Sequence, residues 1–144
     1  VTARPGDPVR RVALPLSVAA GGALGASGRY GVQLLLPAEP SGVPWATLAV
    51  NVAGCLLMGV LMVLLLEGTA TPHRLLRPFL GVGVLGGFTT FSAVATEVDA
   101  LARAGQAAAA GGYLAVTLLG SLLAVHAGIA ATRAVLRRRR EGGW

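Results

Sequence analysis

Four long uncharged runs, separated by short polar connections, organise this chain. Between Arg11 and Arg29 lie 17 uncharged residues, Val12 to Gly28, and the apolar pattern resumes after Arg29 through Tyr30 to Leu36. The second uncharged run goes from Ser41 to Leu66, the third from Pro78 to Thr96 and the fourth from Ala104 to Thr132, counting His126 as neutral. A helix needs roughly 20 residues to cross about 30 Å of hydrocarbon. The pattern therefore predicts an all-α membrane protein whose four transmembrane helices cover about 12–36, 45–66, 76–98 and 110–132, in a single domain over residues 1–144. The connections are the proline-rich Pro37 to Pro44, the segment Glu67 to Arg77, and a weakly polar stretch from Glu97 to Gly112. No soluble domain fits in them. An arginine-rich start, an apolar run and small residues near Ala26-Ser27 also fit a secretory signal peptide, but three further apolar runs make an uncleaved first span the expectation.

Composition agrees with a bilayer. Charged residues make up 12% of the chain, about half the roughly 25% of soluble domains. Hydrophobic residues make up 54%, and the mean hydropathy is +0.70. A soluble enzyme is excluded first. The net charge of +6 comes from 12 arginines against 6 acidic residues, with the arginines at segment ends and only 5% aromatic residues. Such basic flanks read as topology signals and not as a nucleic-acid surface. With both termini on one side, the arginines divide ten against two, which predicts cytoplasmic termini for a multi-pass protein of the cell membrane. The lone Cys55 excludes an internal disulfide and reads as a small apolar packing residue.

Candidate chemistry lies inside the spans. Gly21 and Gly25 form a GxxxG pair suited to close helix packing. The stretch Gly86-Gly87-Phe88-Thr89-Thr90-Phe91-Ser92 is a poor helix, since each glycine costs about 1 kcal/mol relative to alanine. It lies in the middle of the third span, so the expectation is a functional break whose freed carbonyls are ready ligands for a bare cation. Thr47 and Asn51, at i and i+4, share one face of the second span, either as interhelical glue or as donors to a ligand. Tyr113, Thr117 and Ser121 line a hydroxyl stripe on the fourth. Neutral donors without a fixed cation suit an anion that must pass without being trapped. No Asp or Glu falls inside spans one, two or four, and Glu97 reads as the end of span three, so a proton-coupled carrier lacks its midplane carboxylate. No general acid/base pair, HExxH, P-loop or two-histidine site is present, and His126 reads as a packed or interfacial residue.

Together these features resemble the Fluc (CrcB-type) fluoride channel family over nearly the whole chain. Gly21-Gly22-Ala23-Leu24-Gly25-Ala26-Ser27-Gly28-Arg29-Tyr30 is similar to the family's first-span signature, and Trp45-Ala46-Thr47-Leu48-Ala49-Val50-Asn51-Val52-Ala53-Gly54 to its second. The third-span stretch Gly86 to Ser92, followed by Glu97, and the Tyr113, Thr117, Ser121 track match the rest in order. The resemblance implies an antiparallel dimer of four-span subunits with fluoride-permeable pores. It also implies a structural, untransported Na+ held by the backbone carbonyls of Gly86 and Thr89. Asn51 would donate hydrogen bonds to fluoride, Phe91 would present its electropositive ring edge, and Thr47, Tyr113, Thr117 and Ser121 would line the pathway. Arg29 would sit near a vestibule and concentrate anions.

Two departures stand out. The family pattern usually places a second phenylalanine three residues after the position of Phe91, where this chain has Val94. A homodimer inserting in both directions needs balanced arginines, and ten against two is far from balance. The expected function is thus passive fluoride export, reducing fluoride toxicity, by a chain that pairs with an oppositely oriented homologue in preference to itself. A small four-span dimeric drug or metabolite exporter, and a non-conducting partner subunit of a heterodimeric channel, are the alternatives.

Overall fold

The computed structural model describes residues 8–37, 42–67 and 73–141, and every regular element among them is helical. Helix α1 covers Pro8–Leu35 and α2 covers Trp45–Glu67. A π-helix, Pro78–Leu85, runs directly into a short α3, Gly86–Phe88. Two extended residues precede α4, Phe91–Arg103, and α5 covers Ala107–Glu141. Three stretches are long and apolar enough to cross a membrane: Trp45–Glu67, Pro78–Arg103 and Ala107–Arg139. The 28-residue α1 is not one of the three, because Ser17, Ser27, Arg29, Gln33 and its glycines dilute its apolar content.

The helices outrun the apolar runs. The stretch from Glu97 to Gly112 reads as a connection, yet α4 continues to Arg103 and α5 already begins at Ala107. Gly105 makes so short a reversal feasible: its φ of +77° is left-handed, its N–H bonds the Ala102 carbonyl, and the Gln106 N–H bonds that of Leu101, both at 3.0 Å. This pair of bonds is a Schellman closure, and the four alanines that follow are strong helix formers. Glu97 consequently lies inside α4, which runs on to Arg103.

α2 packs chiefly on α5, α1 lies against the π-helix and α3, and α4 folds back on α5. Glycines set these distances. A Cβ on Gly25 would meet the Val84 carbonyl and lie 2.8 Å from the Phe88 amide nitrogen, while one on Gly21 would meet the Phe79 carbonyl. Gly59 of α2 and Gly128 of α5 likewise face the backbones of Val125 and Leu56. Gly87 of the pair Gly86-Gly87 serves the same purpose, while a Cβ on Gly86 would make only an ordinary contact. Both residues are helical, with Gly87 backed onto Gly22, so the interruption falls after them, at Thr89 and Thr90.

Substitution at these contacts separates packing glycines from idle ones. Gly25→Ala forces a methyl into backbone and should lower stability by roughly 1–3 kcal/mol. Gly22→Ala, whose Cβ meets nothing within 4 Å, should be near neutral. Thermal melting of the purified protein compares the two.

Candidate functional site

The interruption within the apolar stretch Pro78–Arg103 is built around one side chain. Thr89 (φ −76°, ψ 158°) and Thr90 (φ −152°, ψ 124°) are extended, which takes two peptide units out of the helical ladder. Asn51, from α2, replaces what is lost: its Oδ1 accepts from the Thr90 N–H at 2.8 Å, and its Nδ2 donates to the Thr90 carbonyl at 2.9 Å. Both residues are buried. Thr90 then caps α4, its Oγ1 accepting from the Ala93 N–H at 3.2 Å. Thr89 closes the helix before the gap, its N–H and its Oγ1 both donating to the Leu85 carbonyl at 3.0 Å.

These bonds have a consequence for two carbonyls. In an uninterrupted α-helix the Thr90 N–H would bond Gly86 O, and the Ala93 N–H would bond Thr89 O. Both donors are diverted here, one to Asn51 and the other to the Thr90 hydroxyl. Gly86 is exposed and Thr89 half-buried on the single chain. Neutral carbonyl oxygens of this kind are hard donors whose chemistry fits a hard alkali cation.

Beside the interruption is a cleft of about 210 Å³ lined by Asn51, Cys55, Thr89, Thr90, Phe91, Val94, Thr117, Leu118 and Ser121. Phe91 is 68% exposed on the single chain. Thr117 is buried beside the Tyr113 hydroxyl, and its Oγ1 makes no hydrogen bond of good geometry among the described residues. The Asn51 amide nitrogen carries two hydrogens, and Thr90 takes one. No charged side chain lines this cleft.

Thr47 and Tyr113, grouped by sequence with the same track, are used differently. Both donate to Glu97: Thr47 Oγ1 to Oε1 and Tyr113 Oη to Oε2, each at 2.6 Å. These are short, charge-assisted bonds that tie α2, α4 and α5 together around one carboxylate. With their protons directed to Glu97, neither hydroxyl donates into the cleft. Arg29 sits half-buried on α1 and does not line the cleft. Val94 is 1% exposed and packs with Leu101, Ala110 and Tyr113 in the α4–α5 core.

Sequence reasoning missed two contributors. Glu97 reads as a span end, although a carboxylate within an apolar run is costly enough to be a signal by itself. Thr90 was legible as an N-cap hydroxyl three residues before Ala93, but its bond to Asn51 spans 39 residues of chain. Among the described residues, no group of three or more His, Cys, Asp or Glu could hold a metal ion.

Asn51→Leu removes both partners of a buried peptide unit. Each unpaired group costs about 1–3 kcal/mol, so the substitution should lower the melting temperature of the purified protein far more than Ser121→Ala, whose hydroxyl has no hydrogen bond among the described residues.

The sequence profile of the family described as CrcB-like protein, Camphor Resistance (CrcB), matches residues 16–129. A Nocardia farcinica protein named Fluoride-specific ion channel FluC 2 is 51% identical over 121 residues, covering 84% of this chain and 86% of the relative. A Thermobifida fusca protein of the same name is 52% identical over 122 residues, covering 85% and 90%. A Paracoccus denitrificans protein named Fluoride-specific ion channel FluC is 48% identical over 118 residues, covering 82% and 93%. These relatives are named as ion channels and not as enzymes, and with half of its residues shared over most of its length, this chain belongs to the CrcB family.

Proposed function

We propose that this chain is a fluoride-selective channel subunit that lets cytoplasmic fluoride leave the cell passively and so reduces its toxicity. The observation that carries the reading is the unpartnered Thr117 hydroxyl, buried in the wall of a cleft it shares with Asn51, Phe91 and Ser121. A buried donor with no protein partner costs free energy unless a ligand accepts from it. The spare Asn51 N–H, the Thr117 and Ser121 hydroxyls and the Phe91 ring edge are neutral electropositive groups. They replace part of an anion's hydration shell without the deep trap that an ammonium or guanidinium would create. An inside-negative potential then drives the anion outward, at about 2.3 kcal/mol per 100 mV.

The subunit is read as four spans, α1 completing the set, with cytoplasmic termini. It works as an antiparallel dimer whose seam passes the interrupted third span. There the Gly86 and Thr89 carbonyls, their helical donors diverted, would hold a structural Na+ that supplies fixed positive charge to bind the halves together. The arginine imbalance favours an oppositely oriented homologue as the other half. Val94, packed into the core of its own subunit, offers no ring edge to the cleft, so the partner would provide the aromatic surface for at least one pore.

Fluoride-electrode measurements on vesicles holding this chain, alone and with an oppositely oriented homologue, test the reading. Thr117→Val keeps the shape and removes the hydroxyl. A hydrogen bond to a charged group is worth about 1.5–3 kcal/mol, so efflux should fall by roughly tenfold or more while stability holds or rises. Efflux unchanged by Thr117→Val, or absent with every partner, removes the proposal. A C-terminal tag detected from both faces of the membrane in equal amounts removes the fixed orientation.

A further inference from the structure

One end of the molecule carries a basic surface that the permeation path does not use. Glu67, the last residue of α2, receives bonds from Arg133 of α5, from Nε at 2.9 Å and from an Nη at 2.6 Å. This pair ties the end of α2's apolar run to α5. α5 goes on for eight residues beyond Arg133, to Glu141, or about 12 Å at 1.5 Å per residue. The headgroup region on each side of the hydrocarbon is several ångströms deep, since a bilayer is about 40–45 Å thick around a core of about 30 Å. Arg137 is one turn past Arg133 and about 6 Å further along the axis, so a membrane boundary at the Glu67–Arg133 pair would put it at phosphate level.

The surroundings are amphiphilic. A cleft of about 390 Å³ is lined by Glu67, Ala130, Arg133, Leu136 and Arg137, which places apolar side chains beside guanidinium groups. Arg137, Arg138 and Arg139 are exposed, and among the described residues none of them is in an ion pair. Arg74 and Arg77, also exposed, lie within ten residues of Glu67 in the chain and so at the same end. The opposite end is sparser among the described residues, with Arg29 half-buried and Arg103 neutralised by Asp99 at 2.7 Å. A guanidinium fork matches the geometry of a phosphate, and the apolar wall continues toward the acyl layer.

We propose that this arginine end is a binding site for anionic phospholipid, with Arg137 holding the headgroup phosphate, Arg138 and Arg139 adding positive charge on neighbouring faces of α5, and Ala130 and Leu136 bordering the start of the acyl chains. Basic residues just outside a crossing each strengthen association with anionic lipid, roughly fivefold per residue. The site is independent of the fluoride cleft, so its success or failure is read without measuring efflux.

The test is electron paramagnetic resonance of spin-labelled phosphatidylglycerol and spin-labelled phosphatidylcholine in phosphatidylcholine vesicles containing the full chain in its assembled form. The motionally restricted fraction should favour phosphatidylglycerol several-fold. R137Q/R138Q/R139Q should bring the two lipids to near parity, R137Q alone should give a smaller drop if the triple variant inserts poorly, and R103Q should change nothing. Equal restriction of both lipids by the unsubstituted protein, or a preference kept by both R137Q and the triple variant, overturns the proposal. A loss with R103Q as large as with R137Q overturns the location. Displacement of labelled phosphatidylglycerol by inorganic phosphate at constant ionic strength would make this a free-anion site and overturn the lipid assignment.

Discussion

The two hydrogen bonds between Asn51 and the peptide unit of Thr90 are the constraint on which the rest of the site depends. Peptide groups outside a helix at membrane depth have no water to turn to, and each costs several kcal/mol if left unpaired. A carboxamide is the smallest neutral side chain offering one acceptor and one donor in the spacing of a peptide, so Asn51 answers both groups of Thr90 at once. An aspartate would lose the donor and face a carbonyl with a negative charge. The exchange is mutual, because the buried carboxamide needs partners as much as Thr90 does. Everything downstream follows: the start of α4, the direction of Phe91, and the redirected donors of Gly86 and Thr89.

That local solution is possible only because the helices around it are fixed closely. α1 approaches the π-helix until its glycines touch backbone, and α2 and α5 do the same at Gly59 and Gly128. In lipid, where apolar side chains gain little by leaving one apolar solvent for another, such close backbone contact is the main source of helix association. The π-helix belongs to this arrangement. Its wider bonding, with the Gly86 N–H reaching the Gly81 carbonyl, turns Gly83 and Val84 toward α1 just before the chain must open at Thr89. Polar precision at Thr90 therefore rests on nonpolar precision one turn earlier.

The apolar runs made the helices legible because bilayer thickness sets a minimum length and punishes charge. They made the ends less so. Gly105 closes α4 through a left-handed φ that composition does not reveal, and α5 continues through an arginine run that reads as a tail. Within the site, the hydroxyl spacing on α5 and the Thr47–Asn51 pair were visible at helical period, since residues four apart share a face. What they face was not. Thr47 and Tyr113 belong with Glu97, Asn51 belongs with Thr90, and Thr117 is left unpartnered; each fact depends on contacts across 16 to 50 residues. The double glycine illustrates the limit best: poor helix propensity drew attention to Gly86 and Gly87, yet both stay helical, Gly87 packed closely on Gly22, and the break falls on two β-branched residues that favour extended backbone.

Glu97 gives the proposed anion path its balance. Thr47 and Asn51 are one turn apart on α2, as are Tyr113 and Thr117 on α5, so the backbone positions that bind the carboxylate are about 6 Å along the axis from those of the cleft donors. Two like charges at that separation repel by about 3 kcal/mol at an effective dielectric constant of about 20. A hydrogen bond from a buried hydroxyl to an anion attracts by about 1.5–3 kcal/mol. The two quantities are of the same size. The short bonds from Thr47 and Tyr113 draw part of the carboxylate's charge onto hydroxyl hydrogens, which lowers the repulsion without abolishing it. A small anion at Thr117 would then be neither excluded nor held, and release toward the next shallow site would need no moving part. Replacing the carboxylate's neighbours by a fixed cation would deepen the well and slow departure, which is why the arginines of this chain are best placed at its ends.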